Sequence, residues 1–280
     1  MTRNLLSTEK MTYTTVRVVC RLVNKQTSIG TAFFFEYPRD AKRTVPVLVT
    51  NAHVVRRSES VRLFLRAKNA DGSPNNRDQV CFELQVDETS WIHHPNAAID
   101  LAILPVAGLI DEMVRRGKPP FCIALRPQDL PTETQLGELG AVEDILMVGY
   151  PNGLWDESNN LPIARAGITA THPAVDYNGR PEFVIDAACF EGSSGSPVFF
   201  YSTGMRIKRD GGMDFRGPES LLLGILYAGP MYTAEGGIEI VDVPTQKTAV
   251  ALSSIPMNLG YVIKSRCILD FDRLLPNDVT

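Results

Sequence analysis

An all-β fold built of barrels or sandwiches is what this sequence predicts. Three observations carry it: short apolar runs rich in β-branched and aromatic residues recur along the chain, turn residues separate them, and helical periodicity is almost absent. The 280 residues are 44% hydrophobic and 21% charged, the balance of a globular protein with chain enough for one large all-β domain or two ordinary ones.

The elements follow in order. Residues 14–23 (TTVRVVCRLV) are rich in β-branched side chains and partly alternate, which suits a half-buried strand. Residues 32–37 (AFFFEY) and 46–50 (PVLVT) are two more, split by a polar turn; Pro46 is tolerable because it stands first in its strand. Further strands are expected over 61–67 and 80–86, around the turn NADGSPNNRD, and over 101–106 (LAILPV). A short helix is expected over 110–116. Residues 119–139, with Pro119, Pro120, Pro127 and Pro131, read as a surface connector. Strands resume at 144–148, and the spacing of CILDFDRLL (267–275) suits a short amphipathic helix ended by Pro276. The connections 201–220 and 231–258 are long, as lids or partner-binding loops are.

Composition removes several function classes. A net charge of −4 gives no basic surface for nucleic acid, and no apolar run approaches the ~20 residues of a membrane span. The N-terminus offers only Leu5 and Leu6 where a signal peptide needs an apolar core of roughly 7–15 residues. Five scattered cysteines without a CxxC pair point to free thiols and no structural zinc, hence a cytoplasmic location. Neither metal-ligand spacing nor a phosphate-cradling glycine loop occurs, so no cofactor is expected.

The chemistry-bearing stretch is FEGSSGSPVFF, 190–200. Ser194 sits among Gly192, Ser193, Gly195 and Ser196, small residues that let a backbone turn sharply and a substrate approach closely; an apolar strand then anchors the turn. A serine there needs a base and an orienting acid. Of four histidines, His93, His94 and His172 lie in proline-containing turns and are expected to face solvent, whereas His53 stands where the strand 46–50 ends. Asp100 precedes the apolar run 101–106, where a carboxylate is costly to bury unless it is hydrogen-bonded; its bland alternative is a turn cap, its sharper one an acid holding an imidazole in one tautomer.

TNAHVV, AIDLAIL and GSSGSP, in the order His53, Asp100, Ser194 and separated by 47 and 94 residues, resemble the trypsin/chymotrypsin-like serine proteases over roughly residues 12–275. Within that family the motifs look more like bacterial trypsin-like peptidase domains of the HtrA and glutamyl-endopeptidase branches than like the digestive enzymes. The resemblance implies two antiparallel six-stranded β-barrels with a short C-terminal helix. The first, 12–118, would carry His53 and Asp100; 119–139 would connect; the second, 140–280, would carry Ser194. It implies Ser194 as nucleophile, His53 as general base, Asp100 as its orienting acid, and the Gly192 and Ser194 N–H groups as oxyanion hole. By position the specificity pocket would be Ala188, Leu226, Tyr227, Gly229 and Gly260. None is charged, so an uncharged P1 residue of a protein or peptide substrate is expected. Two departures stand out. Ser193 replaces the aspartate that receives a newly cut N-terminus in zymogens, and Tyr227 replaces a serine that in many relatives bonds the catalytic aspartate. The expected function is serine endopeptidase, restrained by narrow specificity, a regulatory partner or an inactive resting state. The alternative from another class is a catalytically silent peptide-binding module. An α/β-hydrolase esterase is disfavoured, because Ser194 is followed by Pro197 and a strand in place of a helix.

Overall fold

The computed structural model describes residues 5–276 apart from 42, 87–88, 208–210, 216, 218 and 238–249. After a one-and-a-half-turn helix (α1, Ser7–Thr12), the first half runs through β1 (Thr15–Leu22), β2 (Thr27–Pro38), β3 (Thr44–Thr50), α2 (Ala52–Val55), β4 (Ser58–Lys68), β5 (Pro74–Gln85), β6 (Ile92–His93) and β7 (Ala102–Pro105). These strands make one seven-stranded antiparallel sheet in the order β5-β4-β1-β2-β3-β7-β6. Helices α3 (Ala107–Arg115) and α4 (Glu133–Glu138) lead to the second half, and the Thr132 hydroxyl caps α4 by accepting the Gln135 N–H at 3.2 Å.

In the second half β8 (Asp144–Gly149), β9 (Ile163–Thr169), β10 (Glu182–Asp186), β11 (Pro197–Ser202), β14 (Glu219–Ala228) and β17 (Leu259–Lys264) close into a six-stranded barrel. Two hairpins stand off it: β12 (Arg206–Ile207) with β13 (Met213–Asp214), and β15 (Met231–Gly237) with β16 (Val250–Pro256). The long connections expected at 201–220 and 231–258 thus carry these hairpins, and the centre of the second, 238–249, lies outside the described residues.

The second half closes with six strands as expected; the first does not take that form. Its sheet has seven strands, and its end strands β5 and β6 share no ladder. Strand β6 is the two residues Ile92–His93, and both are paired with β7. The last segment, Ser265–Leu274, is a 3₁₀-helix; apolar spacing alone does not separate a ten-residue 3₁₀ run from an α-helix.

Among the described residues three apolar cores hold the fold. One fills the first sheet around Val18, Leu48, Leu63 and Trp91; one fills the barrel around Ile145, Phe183, Phe200 and Leu223. The third joins the halves: Phe33, Phe35, Val47 and Ile103 pack with Phe199, Ile225 and Ile263 and with Ile268 and Phe271 of the terminal helix. His94 belongs to this joint and does not face solvent: at 6% exposure it lies edge-on to Phe271 and reaches Asp270 and the Cys267 carbonyl, both at 3.2 Å. His93 is exposed, as expected.

Candidate active site

Register brings His53 and Asp100 together. β3 pairs with β7 so that Thr50 faces Ala102, and the two strands end side by side. His53 lies three residues beyond Thr50 and Asp100 two before Ala102, so both leave the sheet at one corner. The corner is tied: the Ala52 N–H and Asn51 Nδ2 donate to the Asp100 carbonyl at 3.3 and 2.9 Å. The His53 N–H donates to Asp100 Oδ1 at 2.9 Å, and the ring Nδ1 meets Oδ2. Both carboxylate oxygens are therefore held by one histidine. Burial works to raise the Asp100 pKa, but the bond and charge of the His53 ring, its N–H and the nearby Arg56 outweigh burial and hold the carboxyl below its usual range.

Ser194 comes from the barrel side and is fastened to the first sheet. Its carbonyl accepts the Thr31 N–H at 2.8 Å, and Thr50 Oγ1 donates to the Thr31 carbonyl at 2.7 Å. Gly30 makes the approach possible, since a Cβ there would lie 2.6 Å from Val54, next to His53, and 3.3 Å from the Ser194 carbonyl oxygen. The Ser194 hydroxyl does not bond His53. It donates to the Tyr227 carbonyl at 3.3 Å, long for an O–H···O bond and correspondingly weak.

The turn before Ser194 has a definite shape. The Ser193 N–H donates to the Phe190 carbonyl at 3.1 Å, and Gly192, third of those four residues, has φ +79°, as a type II turn requires. The Glu191 carbonyl accepts the Asn152 N–H at 2.6 Å. The Glu191–Gly192 peptide is trans, so the Gly192 N–H, opposed to that carbonyl across the same peptide plane, faces away from Asn152. From Gly192 to Ser196, the N–H groups of Ser193, Gly195 and Ser196 have backbone acceptors, whereas those of Gly192 and Ser194 have none among the described residues.

Ser193 is fully buried and takes a hydrogen bond from Arg165 Nη2 at 2.9 Å, while Arg165 Nη1 holds the Ala188 carbonyl. The cation under the turn thus comes from β9 and meets a neutral hydroxyl and a carbonyl. Burial lowers the Arg165 pKa, against a smaller opposing effect of Cys189.

Beside Ser194 lies a cavity of 300 Å³ walled by Cys189, Phe190, Leu226, Ala228, Gly229 and Pro230, with Glu191 at its rim. Of the five residues placed in the pocket by position, Leu226 and Gly229 line it. Ala188 does not: burial alternates here, so Ala187 and Cys189 point inward and Ala188 is exposed. Gly260 stands behind the wall, where a Cβ would sit 2.7 Å from Cys189 Sγ. The Tyr227 side chain also leaves the cavity, its hydroxyl donating to Glu182 at 3.0 Å, and it makes no bond to Asp100. With position 227 turned away, Asp100 Oδ1 is held by the His53 N–H. Asn152, Arg165 and Cys189 were missed. The one local signal among them is the Pro151-Asn152-Gly153 turn, with Asn152 at φ +48°.

A closed antiparallel barrel packed on a second antiparallel sheet, with the serine turn on one and the His–Asp corner on the other, is the chymotrypsin-like protease architecture. Residues 30–205 match the family model of the trypsin-like peptidase domain, and the chain belongs to that family. Among solved structures it is similar to the HtrA-type protease AlgW with tripeptide (15% identity, TM-score 0.48), covering 94% of this chain and 60% of that one. It is also similar to the serine endoprotease from Yersinia pestis (13% identity, TM-score 0.48, 97% and 67% covered) and to tobacco etch virus protease complexed with product (14% identity, TM-score 0.44, 82% and 73% covered). The chain therefore spans less than two thirds of the AlgW chain. No curated protein matches it.

Proposed function

We propose that this chain is a cytoplasmic serine endopeptidase working through an acyl-enzyme on Ser194. The observation that carries the reading is the pair of unpartnered amides. A turn that satisfies three of its N–H groups and leaves those of Gly192 and Ser194 without an acceptor among the described residues is suited to receive an oxygen that gains charge. Turnover begins when the Ser194 hydroxyl leaves the Tyr227 carbonyl and rotates to His53. The imidazole takes its proton as Oγ attacks the substrate carbonyl, and the oxyanion settles on the two amides. His53 then passes the proton to the leaving amine, and water releases the acyl group by the same steps reversed. Asp100 keeps Nδ1 as the proton-bearing nitrogen and stabilises the imidazolium. In domain terms, 12–118 supplies the base and its acid, 140–280 the nucleophile, and 119–139 the link.

The cavity lining supports an uncharged P1 residue. Its lining residues Cys189, Phe190, Leu226, Ala228, Gly229 and Pro230 carry no charge to offset desolvation of a charged side chain, and Glu191 is exposed, where water screens it. The bond from Ser194 to Tyr227 favours a second reading, a protease-fold module that binds peptides with its serine held off the imidazole. Fluorophosphonate labelling separates the two. The endopeptidase labels at Ser194, Ser194→Ala does not, and a peptide library is cut after uncharged residues. A wild-type chain that never labels decides for the binding module.

A further inference from the structure

Two arginines of the first sheet lie outside the site just described, Arg66 buried and Arg17 half-buried. Arg17 on β1 lies between two rings, its guanidinium carbon 3.6 Å from the Trp155 centroid and 4.2 Å from that of Phe64. Arg66 on β4 is 6% exposed; its Nη2 donates to the carbonyls of Asn160 and Asn159 (the latter at 3.2 Å), and its guanidinium lies 4.8 Å from the Tyr13 ring centroid. Burial lowers both pKa values, and neither arginine makes an ion pair among the described residues.

What the two cations hold is one loop of the other half, residues 150–161. Trp155, Asn159 and Asn160 all belong to it, and Asn160 Nδ2 reaches back to the Phe64 carbonyl at 3.4 Å. Asp156 and Leu161 exchange backbone hydrogen bonds at 2.9 and 3.3 Å and close the far segment, while the Gly153 and Leu154 N–H groups donate to the Tyr150 and Pro151 carbonyls at 3.1 and 2.6 Å, so consecutive turns link Trp155 to Asn152. The near end of the loop carries Asn152, whose N–H grips the Glu191 carbonyl, and Tyr150, whose N–H donates to Thr31 Oγ1 at 3.1 Å. A cation stacked on an aromatic face and partly withdrawn from water is a favourable tie for a surface loop.

We propose that Arg17 and Arg66 are positioning residues for the oxyanion turn. They clamp the 150–161 loop to the first sheet, the clamped loop holds the Asn152 amide on the Glu191 carbonyl, and that bond keeps the Gly192 N–H turned toward the cleft. The half of the molecule that carries the base thereby sets the amide geometry of the half that carries the nucleophile. The proposal rests on the endopeptidase reading for its effect on rate, but not for its effect on the loop.

The test uses Arg17→Met and Arg66→Met, which keep apolar bulk and remove the charge. Two readouts are structural: Trp155 fluorescence, and hydrogen exchange of the segment containing the Asn152 amide. A third is kinetic: the maximal rate and the half-saturating concentration of fluorophosphonate labelling at Ser194. Loss of one oxyanion donor costs about 10²–10³ in rate, so partial loss is expected to slow maximal labelling at least about tenfold, with half-saturation changed less than about threefold. Exchange at Asn152 rises in both variants, and Arg17→Lys, which keeps a cation over Trp155, recovers most of both effects. Variants whose loop loosens while labelling stays at the wild-type rate overturn the proposal, as do variants with unchanged exchange at Asn152. If the wild type never labels, the endopeptidase reading falls and exchange alone decides: faster exchange at Asn152 in the variants supports the clamp, equal exchange refutes it.

Discussion

Replacing Gly192 by alanine tests the oxyanion turn most directly. At φ +79° a residue with a Cβ is strained by about 1–2 kcal/mol. The new methyl would lie 2.7 Å from the Asn152 nitrogen and 3.0 Å from the Tyr150 carbonyl oxygen, both backbone atoms that cannot swing aside. The turn can relieve both by flipping the Glu191–Gly192 peptide into a type I turn, which needs no positive φ. That flip breaks the bond from the Asn152 N–H, worth about 1 kcal/mol, and removes the Gly192 N–H from the cleft. The fold therefore survives at a loss of about 1–3 kcal/mol, while maximal Ser194 labelling falls by about 10²–10³. Gly117→Ala is the control: it carries a similar φ of +70° at the end of α3 with nothing within 4 Å, so it bears the backbone strain alone. Urea denaturation and fluorophosphonate labelling are run on both. The reasoning is refuted if Gly192→Ala destabilises no more than the control and labels within about threefold of wild type.

Two further outcomes follow from the ionisable groups. The Asp100 carboxyl is held below its usual range, so its contribution to stability is complete above the unfolded carboxylate value and is lost as pH falls through the folded one. Asp100→Asn is expected to flatten the acid limb of stability below about pH 4 in urea titrations, and to slow labelling about 10⁴-fold because the imidazole tautomer is no longer held; an unchanged acid limb counts against the pairing. Burial raises the thiols of Cys122, Cys189 and Cys267 to about 11 and that of Cys20 to about 12, while Cys81 is exposed. Iodoacetamide at pH 8 is expected to add once, at Cys81, by mass spectrometry; a second adduct forming at the same rate contradicts the burial of Cys20, Cys189 and Cys267 and the partial burial of Cys122.

The His–Asp corner was legible because its signals are local. Thr50 and Ala102 lie on short apolar runs that could only be strands, and antiparallel pairing of those runs brings His53 and Asp100 to one end. The small-residue turn at Ser194 was legible for a similar reason, since the positive φ of Gly192 and Gly195 demands what the residues GSSGS supply. The seven-stranded first sheet was not, because closure depends on whether distant edges meet, and that leaves no trace in periodicity. Nor were the burial of His94 or the work of Arg17, Arg66 and Arg165. An arginine in an alternating strand reads as a solvent-facing polar position, and only the partner segment, 93 residues on for Arg66 and Asn159, turns it inward. Ala188 shows the limit of counting by position, where a shift of one residue exchanges a wall for an outer surface.

The terminal 3₁₀-helix has a consequence for the order of assembly. Tyr37 donates to the Ile268 carbonyl at 2.7 Å across 231 residues of sequence, and His94 reaches Cys267 across 173. The sheet bearing His53 is therefore sealed by one of the last segments described. Contacts so distant along the chain form late and slowly. An emerging polypeptide can carry His53 and Asp100 long before it carries the latch that packs behind their sheet.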